Sequence, residues 1–211
     1  MSKPDNILAP AVRRLSFYLR QLEAYQARDR ATISSRELGE ELGLSDAQVR
    51  KDLAYFGQFG HPGIGYRVPE LIQRVRRILG TDKKSNVILV GVGNLGRALI
   101  SYRGFGKQGF EIVAVFDKDG RVVGKELAGY PVQPMSKLSE QVRTHGVRLA
   151  VLTVPASAAQ EVADALVAAG IRGILNFAPT ALKVDPKVRV TSVDLAVHME
   201  QLSFMLSAAI G

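Results

Sequence analysis

The segment 86–96, with the sequence NVILVGVGNLG, constrains the fold more than any other part of the chain. Its β-branched and apolar residues predict a buried strand, which leads into a G-x-G-x-x-G pattern made by Gly91, Gly93 and Gly96. In a dinucleotide-binding βαβ unit, the first glycine permits a tight turn and the second lets the backbone approach a pyrophosphate. The third allows a helix to pack closely on the strand. The pattern therefore predicts an α/β, Rossmann-like domain with a parallel sheet over residues 81–193.

An acidic residue follows the next predicted strand. Residues 111–116 (EIVAVF) are followed by Asp117, which lies 21 positions after Gly96. At this distance from the glycines, a carboxylate hydrogen-bonds the adenosine ribose and repels a 2′-phosphate, so NAD(H) is expected rather than NADP(H). The alternative is an ordinary turn, since Asp117 begins the sequence DKDG.

Two further strands, at 149–154 and 171–177, flank an alanine-rich helix at 158–169. Ligands of open α/β sheets bind beyond the carboxyl ends of the strands, so the loops that follow these strands should line the cleft. Core packing is an equally acceptable role for Phe177. The predicted cofactor-binding residues are Gly91, Val92, Gly93, Asn94, Leu95, Gly96, Asp117, Lys118, Thr153, Val154, Pro155, Asn176 and Phe177.

Residues 1–80 predict a different kind of domain. Apolar spacing predicts a helix at 10–27, and residues 35–53 have the spacing of a helix-turn-helix whose second helix is capped by Ser45 or Asp46. Gln48, Arg50, Lys51 and Asp52 are expected mainly on the outward face of that second helix, where they would contact DNA in the major groove. The alternative is a solvated charged helix in a small helical bundle.

The glycine-rich segment 55–68 is predicted to be a wing, a hairpin that lies against DNA. For His61 alone, an ordinary surface position is the alternative. A helix at 69–79 and a polar linker at 80–85 end this domain. The predicted DNA-binding residues are Ser35, Ala47, Gln48, Arg50, Lys51, His61, Tyr66 and Arg67.

A last strand at 188–193 leads through Asp194 into a terminal segment, 194–211, that is apolar on nearly all sides. A helix of this kind must be buried, and a second subunit is the expected cover, by exchange of the helix in a homodimer. The default role of Asp194 is to cap that helix.

Bulk composition limits the partners. The formal net charge of +8 at pH 7 favours a polyanion such as double-stranded DNA. The chain has no cysteine, which excludes disulfides, thiolate metal sites and thiol-based redox sensing, and no metal is expected. Residues 1–10 hold no apolar signal segment and no apolar run is long enough to span a membrane, so the protein is expected in the cytoplasm without a membrane partner.

In combination, the segments SDAQVRKDLAYFGQFG, VGVGNLGRAL, LTVPA, ILNFAP and DLAVHMEQL resemble the bacterial redox-sensing transcriptional repressors called Rex. The resemblance implies a homodimer with winged-helix domains, Rossmann-like domains and a swapped terminal helix. It also implies that the free or NAD⁺-bound dimer holds an inverted-repeat operator and that NADH releases it. By the same resemblance, Arg14, Tyr102 and Asp194 would couple cofactor state to domain position.

Two other functional classes stay open at this point. One is a small NAD-dependent oxidoreductase, although none of the three histidines falls in a strand-end loop of the nucleotide domain. The other is a DNA-binding protein whose nucleotide fold is vestigial.

Overall fold

The computed structural model describes residues 9–61 and 63–208. The chain divides into two compact units between Lys83 and Lys84, which lies within the polar segment 80–85. Each unit has its own hydrophobic core.

The first unit is mainly helical. In chain order its elements are α1 (Ala9–Gln26), β1 (Thr32–Ile33), α2 (Ser35–Glu40), α3 (Asp46–Phe56), β2 (Tyr66–Arg67) and α4 (Val68–Leu79). Strands β1 and β2 pair antiparallel, with Ile33 opposite Tyr66. Fully buried apolar side chains from the helices form the core of this unit: Leu15, Leu22, Leu38, Val49, Leu53 and Val75.

Local sequence explains how α2 and α3 are held in a helix-turn-helix. Ser34 and Glu37 form a capping box at the start of α2, and the Ser45 hydroxyl accepts the Gln48 N–H (3.1 Å) at the start of α3. Between the two predicted caps, Ser45 is therefore the one observed. A side chain at Gly39 would place its Cβ 2.5 Å from the Leu44 carbonyl oxygen, so the close approach of the turn to α2 requires glycine.

The wing is smaller than the sequence predicts. Helix α3 continues to Phe56, and His61 forms an isolated bridge with Gly65 instead of a long hairpin ladder. Residue Tyr66 then pairs with Ile33 in β1. Residues 57–61 and 63–65 therefore form a loop with one bridge, anchored on the helix-turn-helix, rather than an extended ribbon.

The second unit is an α/β domain. Its elements are β3 (Ser85–Val90), α5 (Asn94–Ile100), α6 (Gly104–Lys107), β4 (Phe110–Asp117), β5 (Glu126–Leu127), β6 (Tyr130–Pro134), α7 (Leu138–Thr144), β7 (Leu149–Leu152), α8 (Ala156–Ala169), β8 (Gly173–Asn176), β9 (Arg189–Ser192) and α9 (Leu195–Ala208). A 3₁₀ turn, Met135–Lys137, precedes α7.

Within the described residues, seven strands form one sheet in the order β5-β6-β4-β3-β7-β8-β9. All neighbouring pairs are parallel except β5 and β6. The chain starts at the central strand β3, moves to one side through β4 and β6, and then returns to β7 on the other side of β3. The carboxyl ends of β3 and β7 thus meet at the topological switch point, where open α/β sheets bind ligands.

Side chains of the central strand alternate between the two faces of the sheet. Ile88 and Val90 belong to the cluster that includes α7 and α8, whereas Val87 and Leu89 belong to the cluster on the other face. Burial on both faces explains the continuous apolar run of β3, because a strand covered on two sides has no polar face.

The terminal helix α9 is exposed in the single chain. Its large apolar side chains are 42–72% exposed: Leu195, Val197, Met199, Leu202, Phe204, Met205 and Leu206. Residues 209–211, which the sequence assigns to the same helix, lie outside the described residues. Soluble proteins rarely expose a contiguous apolar surface of this kind unless a partner covers it.

Candidate nucleotide cleft and nucleic-acid interface

A cavity of about 720 Å³ opens at the carboxyl ends of β3, β4 and β7. It lies at the topological switch point described above. Ten of the predicted cofactor-binding residues line it: Gly91, Val92, Gly93, Asn94, Leu95, Asp117, Lys118, Thr153, Val154 and Pro155. We call this cavity the cleft.

The three glycines of the fingerprint meet three different steric demands. Gly91 has a φ of 100°, and a Cβ there would lie 2.8 Å from the Thr153 backbone. A Cβ at Gly96 would lie 1.9 Å from the Gly91 carbonyl oxygen, so this position brings the helix against the loop. A Cβ at Gly93, by contrast, would have no atom of the described residues within 4 Å, apart from those of its two chain neighbours. The open space at Gly93 leaves the loop backbone accessible from the cleft.

The carboxylate of Asp117 lies at the rim of the cleft and holds the glycine-rich loop. Its Oδ2 accepts the Val92 N–H (2.7 Å), and its Oδ1 accepts the Asp119 N–H (2.8 Å). The second bond is the turn chemistry that the DKDG sequence offers, so that alternative is observed. A carboxylate has about four acceptor positions, which leaves acceptor capacity for ribose hydroxyls.

An ion pair also contributes to the charge at the rim of the cleft. Arg121 contacts Asp119 (2.7 Å), and hydrogen bonds from its side chain and backbone lower the pKa of Asp119 to about 2. Because Asp119 neutralises Arg121, that guanidinium is engaged within the turn. Of the two cations near Asp117 in sequence, Lys118 lines the cleft and Arg121 is paired with Asp119.

The floor of the cleft is fixed by the loop after β7. The Thr153 hydroxyl donates to the Gly91 carbonyl oxygen (2.7 Å), which ties this loop to the glycine-rich loop. Sequence reasoning missed several cleft residues, most of them apolar, because they lie on helices and turns at positions outside any motif: Arg97, Asp119, Val122, Met135, Ala158, Glu161 and Val162.

Three predicted cofactor-binding residues do not line the cleft. Gly96 lies against the Gly91 carbonyl oxygen, where α5 packs on the glycine-rich loop, and the other two are Asn176 and Phe177. The side chain of Asn176 is fully buried, where its amide donates to the Thr180 carbonyl oxygen (2.9 Å) and accepts the Ala178 N–H (2.9 Å). Phe177 packs against the core on one face of the sheet, which is the alternative role given for it. The buried amide of Asn176 thus satisfies the loop after β8, and a contact of either residue with the cofactor stays a prediction.

In the first unit, the predicted DNA-contacting residues of α3 are largely exposed. Ala47, Arg50 and Lys51 are exposed. The Arg50 guanidinium donates to Asp46 (2.6 Å) and to the Ser35 hydroxyl (3.2 Å), so the fold brings Ser35 and Arg50 together. The same Arg50 contact lowers the pKa of Asp46.

Asp52 does not lie on this outward face. Its side chain is only 3% exposed. It accepts from Nε and Nη2 of Arg14 (2.5 and 2.7 Å), from the Tyr18 hydroxyl (2.7 Å) and from the Gln48 amide (2.7 Å). Burial raises the pKa of Asp52, but these hydrogen bonds outweigh it and hold the pKa below its ordinary value. The expectation of an outward Asp52 was wrong because Arg14 of α1 supplies a compensating cation that allows this carboxylate to be buried.

Arg14 thus has a partner inside the first unit. The resemblance to Rex implies that Arg14, Tyr102 and Asp194 couple the state of the cofactor to the position of the domains. Tyr102 is 56% exposed and contacts the Phe105 ring edge-on at 5.3 Å. The Asp194 carboxylate accepts the N–H groups of Ala196 (2.9 Å) and Val197 (3.3 Å), which is its expected capping role at the start of α9.

The wing residues separate into exposed and buried ones. His61 and Arg67 are exposed, and the His61 ring lies 3.8 Å from Glu70. Tyr66 is only 8% exposed and belongs to the core, and burial raises the pKa of its hydroxyl. Tyr66 therefore lies in the core and not at the exposed position that the sequence predicts, because its side chain faces inward from β2.

Arg74 supports the wing loop, although the sequence does not single it out. It donates to the Gln58 carbonyl oxygen (3.3 Å), lies over the Phe59 ring (5.5 Å) and pairs with Glu70 (3.0 Å). Only the Glu70 pair follows from local sequence, since Glu70 lies four residues earlier on α4, whereas Gln58 and Phe59 are brought near by the chain between α3 and α4.

The described part of the chain also bears on metal binding and on membrane insertion. In residues 9–61 and 63–208 we find no cluster of three or more histidine, aspartate or glutamate side chains arranged for a metal ion. In the same residues, no helix combines the length and the apolar composition needed to cross a bilayer.

Comparison with known proteins agrees with this division of the molecule. Residues 82–180 match the CoA binding domain family, and residues 6–54 match a family described as putative DNA-binding protein N-terminus. The chain is 50% identical to the redox-sensing transcriptional repressor Rex of Carboxydothermus hydrogenoformans, covering 92% of this chain and 93% of that protein. It is 43% identical to Rex of Brevibacillus brevis, covering 98% and 100%.

Solved structures are similar over almost the whole chain. A crystal structure of RSP in complex with β-NAD⁺ and operator DNA has a TM-score of 0.91 at 38% identity, covering 98% of this chain and 95% of that one. The structure of RSP with β-NADH has a TM-score of 0.86 at 35% identity, covering 98% and 97%. With this similarity in sequence and in both units, the chain belongs to the Rex family of redox-sensing transcriptional repressors.

Proposed function

We propose that this protein is a repressor that binds an inverted-repeat operator as a homodimer and leaves it when NADH binds, so that promoter occupancy reports the NADH/NAD⁺ ratio. The observation that carries this proposal is that one chain contains both an open glycine-rich loop at Gly93 and a helix-turn-helix with exposed Arg50 and Lys51. Two structures of the similar protein RSP support the proposal: one contains β-NAD⁺ and operator DNA, and the other contains β-NADH.

The cleft holds the cofactor. The backbone at Gly93 accommodates the pyrophosphate, and the free acceptor positions of Asp117 bind the adenosine ribose. Apolar side chains such as Val122, Met135 and Val162 make up part of the lining. NAD⁺ carries a positive nicotinamide ring and NADH a neutral one, so an apolar wall penalises the oxidised form by desolvation.

Helix α3 is the recognition helix. Its exposed cations, Arg50 and Lys51, contact phosphates or base edges, and Ser35 and Arg67 add contacts to the backbone. In a dimer on an inverted repeat, two such helices must lie about 34–36 Å apart or a multiple of that distance. NADH releases the operator by changing this separation, which requires only that NADH bind one arrangement of the dimer more tightly than the other.

The terminal helix holds the dimer together by exchange between subunits. The strong exposure of Phe204 (72%), Leu206 (69%) and Met199 (67%) supports this, since these side chains need a cover that the single chain does not provide. Tyr102 and Asp194 respond to the cofactor in the assembled dimer.

Removal of α9 tests the dimer directly. Truncation after Val193 should abolish the dimer, because it deletes the apolar surface that joins the subunits. Sedimentation velocity would measure this, and a stable dimer of the truncated chain would contradict the exchange of α9.

The protein binds NADH without turning it over. Sensing a concentration ratio needs binding alone, and none of the three histidines, His61, His145 and His198, lines the cleft. We place this function in the cytoplasm, because the operator DNA of a bacterial repressor lies there.

One titration separates this proposal from its rivals. NADH and then NAD⁺ are added to a complex of the protein with fluorescent operator DNA, and anisotropy follows release. Release by NADH at concentrations where NAD⁺ has no effect supports the proposal. No effect of NADH would indicate a vestigial nucleotide fold, and catalytic oxidation of NADH would indicate an oxidoreductase.

A further inference from the structure

The buried carboxylate of Asp52 lies on the inward face of the recognition helix α3. Its two oxygens accept four hydrogen bonds, two from the Arg14 guanidinium, one from the Tyr18 hydroxyl and one from the Gln48 amide. Arg14 and Tyr18 both come from α1, so this group, which we call the Asp52 cluster, connects α1 to α3.

The Asp52 cluster fixes the orientation of the Gln48 amide. Asp52 carries a negative charge and can only accept hydrogen bonds, so the group facing it (2.7 Å) must be the NH₂ of Gln48 and not its carbonyl oxygen. A flipped amide would place two oxygens against each other. The nearest cation, Arg14, is already bound to both carboxylate oxygens and keeps the carboxylate ionised.

This orientation decides what Gln48 can offer to a ligand. One N–H of its NH₂ is used by Asp52, which leaves one N–H and the Oε1 acceptor. Among the described residues, no hydrogen bond to Oε1 is observed. Gln48 is the third residue of α3 and lies at the edge of the exposed face that carries Ala47 and Lys51, where recognition helices contact base edges.

We propose that Gln48 selects one adenine in each operator half-site and that Asp52 is the positioning residue that aims the Gln48 amide at that base. The proposal rests on the DNA-binding function proposed above. In the major groove, adenine presents one donor (N6–H) and one acceptor (N7), which match the free Oε1 and N–H of Gln48.

The other bases do not fit an amide held in this way. Guanine presents two acceptors, so its O6 would face Oε1 without a hydrogen. Thymine presents an acceptor and a methyl group, and cytosine presents a single donor that leaves the Gln48 N–H unpaired. An amide free to rotate could adapt to guanine, whereas one anchored by Asp52 cannot.

The test begins with selection of binding sites. The full-length protein is used to enrich duplexes from a randomised library, and the same is done with Gln48→Ala and, as matched control, Gln73→Ala. Gln73 is exposed on α4, away from α3 in sequence. Affinities are then measured on four duplexes that differ only at the base pair whose preference changes.

We expect Gln48→Ala to erase the preference at one symmetric position and to leave the rest of the selected site intact. At that position, wild type should prefer adenine by about 5- to 150-fold over each other base, and Gln48→Ala by less than about twofold. Gln73→Ala should select the wild-type site. An unchanged site with Gln48→Ala, or loss of preference for any base other than adenine, would overturn the proposal.

Asp52→Asn tests the positioning role. Because an asparagine presents both a donor and an acceptor, it no longer dictates which end of the Gln48 amide faces it. For protein shown to be folded by circular dichroism, adenine preference at the Gln48 position should weaken while preferences elsewhere persist. Equal weakening at every position would instead indicate general loss of α3 packing and would refute the positioning role.

If Asp52→Asn does not fold, Gln48→Ala alone decides between adenine selection and its absence, since its change is at the edge of the surface. NADH release of the wild-type complex is recorded in parallel. Wild type that binds no duplex refutes the proposed function itself. Wild type that binds and responds to NADH, with no adenine dependence on Gln48, refutes only the inference drawn here.

Discussion

The two units build their binding surfaces from different parts of the chain. In the second unit, the cleft depends on the backbone of a glycine-rich loop, where Gly91 and Gly96 allow contacts that no side chain would permit. In the first unit, the surface of α3 is formed by side chains, and one of them, Gln48, is held by the buried Asp52 cluster. The first kind of surface should fail abruptly on a steric change, whereas the second should lose affinity one contact at a time.

The largest expected effect tests the cluster beneath the side-chain surface. Asp52→Ala leaves Arg14 and Tyr18 without their acceptor, and breaking a buried pair from one side costs about 3–5 kcal/mol of unfolding free energy. Urea denaturation followed by circular dichroism would measure this loss. Asp46→Ala is the matched control, because Asp46 pairs with Arg50 at the surface and such pairs contribute about 0–1 kcal/mol.

The sign of the pH dependence sharpens this test. The pKa of Asp52 in the folded chain lies below its ordinary value of 3.8, so its contribution is complete above that pH and is lost as the pH falls through the folded-state pKa. Wild type should therefore lose more stability than Asp52→Ala on acidification below about pH 3.8. Equal losses would contradict an ionised Asp52 in the folded unit.

The next effect tests the backbone surface. Gly93→Val points a branched side chain into the open space where the pyrophosphate should lie, so NADH affinity should fall by more than about 100-fold, or about 2.8 kcal/mol. Operator binding without cofactor should not change, and Gly93→Ala should fall between wild type and the valine variant. Calorimetry measures the cofactor, and normal NADH binding by Gly93→Val would show that the loop does not hold the pyrophosphate.

The smallest effect tests a single contact on α3. Arg50→Ala, and separately Lys51→Ala, should each weaken operator binding by about tenfold and leave NADH binding intact. The slope of affinity against salt should decrease by about one if the lost contact is to a phosphate. Arg28→Ala removes the same charge from an exposed turn and should change little, so equal weakening by Arg28→Ala would argue that only net charge matters.

Much of the second unit follows from the sequence because its constraints are local. The order of strand, glycines, helix, strand and acid places Gly93 and Asp117 around one cleft, and Asp194 caps its helix as expected. The burial of Asn176 was not predicted, because a polar residue at a strand end can serve either the ligand or its own loop. The sequence alone does not show which of these needs the amide.

In the first unit, the helices were predictable and the burial of individual polar residues was not. The orientation of Asp52 depends on Arg14, 38 residues away in the chain, and that of Tyr66 on its pairing with Ile33. Helical periodicity alone assigns a charged residue to the outside, because it contains no information about a distant cation that would allow burial.

The central claim is that reduced cofactor in the second unit changes how far apart the two DNA-binding units of a dimer lie. Since the chain has no cysteine, Gln73→Cys on the exposed side of α4 provides one spin-label site in each subunit. The distance between the two labels, measured by double electron–electron resonance, should shift when NADH is added to the operator-bound dimer and should stay unchanged with NAD⁺. An identical distance distribution with either cofactor, while NADH still releases the operator, would contradict this mechanism.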